Sequence, residues 1–137
     1  MRVVLDPNVI VSGFLNPHGA PGTLVRLAAS AELQLCYDSR ILSEYREVLA
    51  RPKFGLDPAA LDDFLEQVEA DGLPVDPVPL ARRLPDPADE AFLEVAIAGR
   101  AVCLVTGNLR CFPANRRCGV RVLSPALAVD LIRSRAH

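Results

Sequence analysis

The sequence predicts an α/β sandwich around a mainly parallel sheet, and three observations predict it. Short β-branched or apolar runs alternate along the chain with longer segments of helical periodicity. The run AVCLVT at residues 101–106 is almost continuously apolar, as a strand covered on both faces must be. The first run, RVVL at residues 2–5, stops at Asp6 and Pro7, which places an acid at a strand end.

In order along the chain, residues 2–5 form a buried strand that ends at a turn. NVIVSGFLN could continue it as a helical turn, and the glycine- and proline-bearing stretch NPHGAPG separates this from a better helix, TLVRLAASA. Residues 33–37 are a second strand. Ser39 is then the expected N-cap of RILSEYREVLAR, where Ile41, Leu42, Tyr45, Val48 and Leu49 recur at helical spacing and Pro52 ends the helix. Residues 58–70 form an amphipathic helix, with Leu61, Phe64, Leu65 and Val68 opposite a solvated acidic face of Asp62, Asp63, Glu66 and Glu69. The proline-punctuated residues 73–85 read as a connector with a short strand over residues 75–78. A helix begins near residues 86–89 and runs through EAFLEVAIAG, with Gly99 placed for a left-handed cap. The strand AVCLVT, a polar TGNLR turn, a short strand VRVL and a final helix PALAVDLIRSRA complete the chain.

The chain has 137 residues, half of them hydrophobic and 23% charged, which is the size and composition of one folded domain over 1–137. No apolar run approaches the ~20 residues of a membrane span, and the start, MRVVLDPNVIV, lacks a signal-peptide pattern. No membrane association and a cytoplasmic location are expected. Cys36, Cys103, Cys111 and Cys118 lack zinc or redox spacing and read as reduced thiols in or near the core. A net charge of −2 argues against coating of nucleic acid by bulk attraction, but it does not exclude a nuclease, in which an acidic pocket sits beside a basic rim that holds phosphates. Lys53 is the lone lysine, so the cationic groups are almost all arginines, whose forked donors suit phosphate.

The chemistry available is restricted. GxxxxGK[ST], GxGxxG and GxSxG are all absent, and His18 and His137 are the only histidines, which leaves little for a nucleophilic triad. Carboxylates remain. Asp6 ends the first strand, Glu44 lies in the third helix, and Asp89 begins the helix before AVCLVT; in a parallel sheet these places share one rim, where ligands bind. Singly, Asp6 could merely cap a turn, Glu44 could be one exposed acid among many, and Asp89 could favour a helix dipole. Together they would repel and raise one another's pKa unless a cation joined them, and a hard divalent ion suits all-oxygen donors. Such an ion could activate water against a phosphodiester.

At these residues the sequence resembles the PIN-domain family, in the branch of toxins from toxin–antitoxin pairs related to VapC-like ribonucleases. The likeness lies in four pieces in order: VVLDPNVIVSGF with Asp6, Pro7 and Asn8; DSRILSEYREVLARPKF with Glu44; DPADEAFLEVAIAG with Asp89, Phe92 and Ala96; and LVTGNLRCFP with Thr106, Gly107 and Asn108. The resemblance implies a three-layer α/β/α fold and a Mg²⁺ or Mn²⁺ site on Asp6, Glu44 and Asp89. It also implies endonuclease action on RNA, and a homodimer inhibited by a protein antitoxin. Asn8, Thr106 and Asn108 would support the site, and Arg110, Arg116 and Arg117 could contact RNA phosphates, or stand as solvated loop charge. Arg133 and Arg135 in the tail could serve substrate or antitoxin.

Two departures bear on the metal count. Pro7 stands where many members carry Ser or Thr, and Asn108 stands where many carry a fourth acid. Asp86 or Glu90 could substitute for Asp89, which is the better match. A degenerate module that binds RNA or a protein without cleaving is therefore the alternative. A receiver-like phosphoacceptor at Asp6 fits poorly, because it would need an acidic pair at the first strand and a lysine near the last strands.

Overall fold

A computed structural model describes residues 1–135 of the chain, and the last predicted helical residue, Ala136, lies outside that range. Five strands, β1 (Arg2–Leu5), β2 (Gln34–Tyr37), β3 (Leu73–Pro74), β4 (Cys103–Val105) and β5 (Val122–Leu123), form one sheet in the order β3-β2-β1-β4-β5. Every pairing is parallel, with Val3 opposite both Leu35 and Cys103. The helices are α1 (Pro7–Leu15), α2 (Ala20–Ala29), α3 (Ser39–Leu49), α4 (Pro58–Asp71), α5 (Glu90–Ala98) and α6 (Pro125–Arg135). The architecture is the expected three-layer α/β/α sandwich. The order runs outward from β1 to β3 and then crosses to β4. Under right-handed crossovers that reversal requires α5 to lie on the opposite side of the sheet from the helices linking β1 to β2. The carboxyl ends of β1 and β4 therefore flank the switch point.

Parallel strands bury both faces, which explains why Val3, Val4, Leu5, Leu104 and Val105 are all fully buried. Tyr45 and Phe92 link α3 to α5 with ring centroids 6.4 Å apart. Among the described residues no helix is long and apolar enough to cross a membrane.

Several boundaries differ from expectation for identifiable reasons. Pro7 does not stop the chain at a turn: it occupies the first turn of α1, where a missing N–H costs nothing. Helix α2 starts three residues before TLVRLAASA, with Pro21 in its first turn. Gly22 is required there because a Cβ would sit 2.2 Å from the Pro17 carbonyl oxygen. The N-cap of α3 is Asp38, whose side chain accepts from the Ile41 amide at 3.0 Å, and Ser39 is already helical. The strand expected at residues 75–78 is instead β3, ending at Pro74 with one further bond from the Val75 amide to the Tyr37 carbonyl. Pro77 and Pro79 have no amide with which to extend it. Gly99 is not left-handed: its φ is −81°, and Arg100 takes φ 50°. Close packing selects the glycine, since a Cβ would stand 2.7 Å from the Cys36 sulfur. Strands β4 and β5 are shorter than the apolar runs that predicted them.

Candidate functional site

The end of β1 places Asp6 at the switch point. Its amide donates to the Val105 carbonyl at 2.9 Å, carrying the β1–β4 pairing one residue further. Its carboxylate accepts twice: Oδ1 from the Asn8 amide at 3.1 Å, which caps α1, and Oδ2 from the Thr106 hydroxyl at 2.9 Å. Thr106 is fully buried and in turn accepts from the Asn108 amide at 3.1 Å. Asn108 accepts from the Arg110 amide through Oδ1 at 3.3 Å. The TGNLR turn is thus folded around Thr106 and fixed to Asp6, while the carboxylate keeps lone pairs for a further partner. Below it the Tyr45 hydroxyl donates to the Leu5 carbonyl at 2.6 Å, and burial pushes this phenol well above its ordinary range.

Asp89 ends a 3-10 turn, Pro87–Asp89, capped by Asp86, whose carboxylate accepts from the Ala88 amide at 2.9 Å. Half-buried, its carboxyl is raised above the ordinary value, chiefly by loss of solvent; the charges of Asp86, Asp6 and Glu44 push it further up, against a hydrogen bond from the Cys111 thiol. The Cys111 thiol is itself raised, first by burial and then by Asp89. Glu44 is half-buried on α3 and lines a surface groove with Pro87, Ala88 and Ala91. The fold therefore brings Asp6, Glu44 and Asp89 within electrostatic reach of one another.

Glu90 does not substitute for Asp89. Its carboxylate faces the connector, accepting from the Leu84 amide at 3.0 Å, which with Arg83 holds its pKa below the ordinary value. Asp86 does lie at the rim, because its charge bears on Asp89. Cys111 was not singled out by sequence, since a cysteine three residues past a turn carries no spacing signal. The expectation of reduced thiols in or near the core holds for Cys36 and Cys103, which burial pushes up to about 11, and for the partly buried Cys111. It does not hold for Cys118, which is exposed.

The three arginines of the adjoining loop differ. Arg110 is exposed. Arg116 donates to the Arg83 carbonyl at 2.5 Å, and Arg117 to the Phe112 carbonyl at 2.8 Å. Arg133 and Arg135 are exposed at the end of α6.

Among the described residues no three His, Cys, Asp or Glu side chains are grouped so that they could hold a metal ion. The donor set nevertheless fits a hard divalent cation in kind and charge. It consists of carboxylate oxygens, one of them fixed by Thr106 and another made costly to ionise by its acidic neighbours. Magnesium keeps several of its waters, so it needs few protein ligands and no closed cage.

Fold and rim together define a parallel α/β domain with acidic side chains gathered where the strand order switches. A sequence profile described as PIN domain matches residues 2–110, and the chain belongs to the PIN-domain family. PIN domains are generally nucleases that use divalent metal ions. No curated protein matches the chain at a significant level.

Proposed function

We propose that this protein is a Mg²⁺- or Mn²⁺-dependent endoribonuclease that hydrolyses RNA phosphodiester bonds, with Asp6, Glu44 and Asp89 as its metal-holding carboxylates. The observation that carries this reading is the half-buried Asp89 carboxyl, raised by burial and by the charges of Asp86, Asp6 and Glu44 at the switch point. A fold that gathers acids at such a cost gains most when a cation neutralises them.

When bound, a divalent ion would stabilise charge on the phosphate and acidify a water. The chain's own residues orient and exclude. Thr106 fixes which oxygen of Asp6 faces the rim, while the Asn8 and Asn108 amides organise the two turns on either side. Arg110, exposed beside the TGN turn, is the loop arginine freest to meet an RNA phosphate. Arg116 and Arg117 each have one guanidinium nitrogen held by a backbone carbonyl, which restrains how far they can swing towards substrate.

We take residues 1–137 as one domain, supported by β5 and α6, which extend the same sheet and core beyond the matched segment. The toxin role, with a cognate protein antitoxin and a homodimeric state, follows from the resemblance of the four motif segments. A cytoplasmic location is part of that same reading.

A second reading has its own observation. Asn108 occupies the position of a fourth acid, and its side-chain oxygen is committed to the Arg110 amide, which favours a weak or degenerate module that binds RNA or protein. Purified protein with Mg²⁺ or Mn²⁺ on single-stranded and structured RNA separates the two. Cleavage is expected, falling roughly 100-fold or more in Asp6→Asn and Asp89→Asn, as for loss of a principal electrostatic group. Equal cleavage in wild type and both variants would rule out the mechanism, and RNA binding without cleavage would favour the second reading.

A further inference from the structure

The connector of residues 75–86 has little regular structure after β3, yet it delivers the turn that carries Asp89. One peptide unit in it is held at both polar ends. The Leu84 amide donates to Glu90 Oε2 at 3.0 Å, and the carbonyl of the same peptide, that of Arg83, accepts from Arg116 Nη1 at 2.5 Å. A peptide is planar, so fixing its N–H and its C=O fixes its orientation. The Leu84 side chain is buried, and the Arg83 guanidinium approaches Glu90 at 3.4–3.5 Å.

The two holders come from the two segments that frame Asp89. Glu90 is the next residue in α5, and Arg116 follows in the same loop as Cys111, whose thiol is close enough to influence the Asp89 carboxyl. The arrangement is expensive. Glu90 is nearly buried, and the Arg116 Nε is buried with no partner among the described residues. A guanidinium that leaves a buried Nε unpaired in order to hold one carbonyl adds little stability, so geometry is the better account of what it supplies.

We propose that Glu90 and Arg116 are positioning residues, which grip the Arg83–Leu84 peptide from both sides and so hold Asp89 in the acidic rim. This rests on the metal-site reading of Asp89 given above. In this role both act through that peptide and not by contact with ion or substrate. Asp86, two residues past the gripped peptide, caps the turn that ends at Asp89, so a peptide free to rotate would release that turn.

The test uses the intact chain in two measurements. The first is Mn²⁺ binding, read from the free-ion EPR signal, in wild type, Glu90→Ala, Glu90→Gln and Arg116→Ala. The alanine variants should bind about 10-fold more weakly, the usual effect of removing an outer partner of a metal ligand. Glu90→Gln keeps an oxygen for the Leu84 amide and should stay close to wild type. The second is metal-free: backbone amide order parameters at Ala88 and Asp89, expected to fall from about 0.85 towards 0.6 in Arg116→Ala. Wild-type Mn²⁺ affinity in a folded alanine variant would overturn the proposal. So would rigid Ala88 and Asp89 amides in Arg116→Ala. If Glu90→Ala does not fold, Arg116→Ala decides alone. If the wild type binds no Mn²⁺, the metal reading fails, and the order parameters decide the grip by themselves.

Discussion

The Thr106 hydroxyl donates to Asp6 Oδ2 at 2.9 Å, tying the carboxyl end of β4 to that of β1 across the switch in strand order. Thr106 is completely buried, so this hydroxyl has no water to fall back on, and it also accepts the Asn108 amide. One side chain therefore sets both the orientation of Asp6 and the fold of the turn beyond it.

Thr106→Val keeps the shape and removes that hydrogen bond. It should destabilise the protein by about 1.5–3 kcal/mol, the range for a bond to a charged group, and should weaken Mn²⁺ binding as Asp6 loses its orientation. Thr106→Ser should recover most of both. Urea denaturation and a Mn²⁺ titration check this, and a valine variant equal to wild type in both would show that Thr106 does not orient Asp6.

The neighbouring acids Asp89 and Glu90 make opposite contributions to stability with pH. Burial, with Asp86, Asp6 and Glu44 behind it, holds the Asp89 carboxyl above its ordinary 3.8. The folded chain therefore binds that proton more tightly than the unfolded chain, and stability falls as pH rises from 3.8 through the raised folded value. Asp89→Asn removes the cost, so without metal it should melt at a higher temperature than wild type at neutral pH and converge with it in acid. Excess Mn²⁺ should reverse that order, because only the wild type gains from the ion. Glu90 has the other sign. The Leu84 amide and then Arg83 hold it below 4.5, so its contribution is complete above 4.5 and is lost as pH falls through the lower folded value. Thermal melts of Glu90→Gln should thus start below wild type at neutral pH and meet it on acidification.

Tyr45 supports the same strand end from beneath. Its hydroxyl donates to the Leu5 carbonyl, one residue before Asp6, from a fully buried position. Tyr45→Phe preserves the packing on Phe92 and removes only the donor, so a loss of about 1 kcal/mol is expected. A loss several-fold larger would mean that the phenol also organises neighbours beyond Leu5.

The fold was legible because its signals are those of burial. RVVL and AVCLVT could only be covered strands, and the spacing of Ile41, Leu42, Tyr45, Val48 and Leu49 could only be one helix face. Asp6 was legible because an acid closing a buried strand is conspicuous. What escaped depended on local competition or on distance. Asp38 and Ser39 are both good caps, and only the backbone decides between them. Gly99 reads as a left-handed cap, yet it is chosen by the sulfur of Cys36, sixty-three residues away in the chain. Position on the helix favoured Asp89 over Glu90, but the partner that turns Glu90 away, the Leu84 amide, lies in a connector with no pattern of its own. Cys111 meets Asp89 only through the 3-10 turn Leu109–Cys111, for which the sequence has no periodic signal.

Asn108 gives the sharpest test of how complete the site is. Its Oδ1 accepts from the Arg110 amide and its own amide is held by Thr106, so the turn uses one of its two side-chain terminal atoms and leaves the other free. Asn108→Asp keeps the accepting oxygen and turns the remaining amide nitrogen into a second carboxylate oxygen on the turn that Thr106 ties to Asp6. Without metal the added negative charge should destabilise the protein, since it joins a rim whose acids already raise Asp89. With Mn²⁺ it should bind the ion more tightly than wild type, by about 10-fold if the new oxygen gains roughly 1.4 kcal/mol in contact with the cation. Cleavage that appears or rises in Asn108→Asp would locate the limit on the wild type in its missing fourth acid. Metal affinity that rises with no cleavage in either protein would favour the binding module, because the rim would then hold its ion and still lack a reaction to perform.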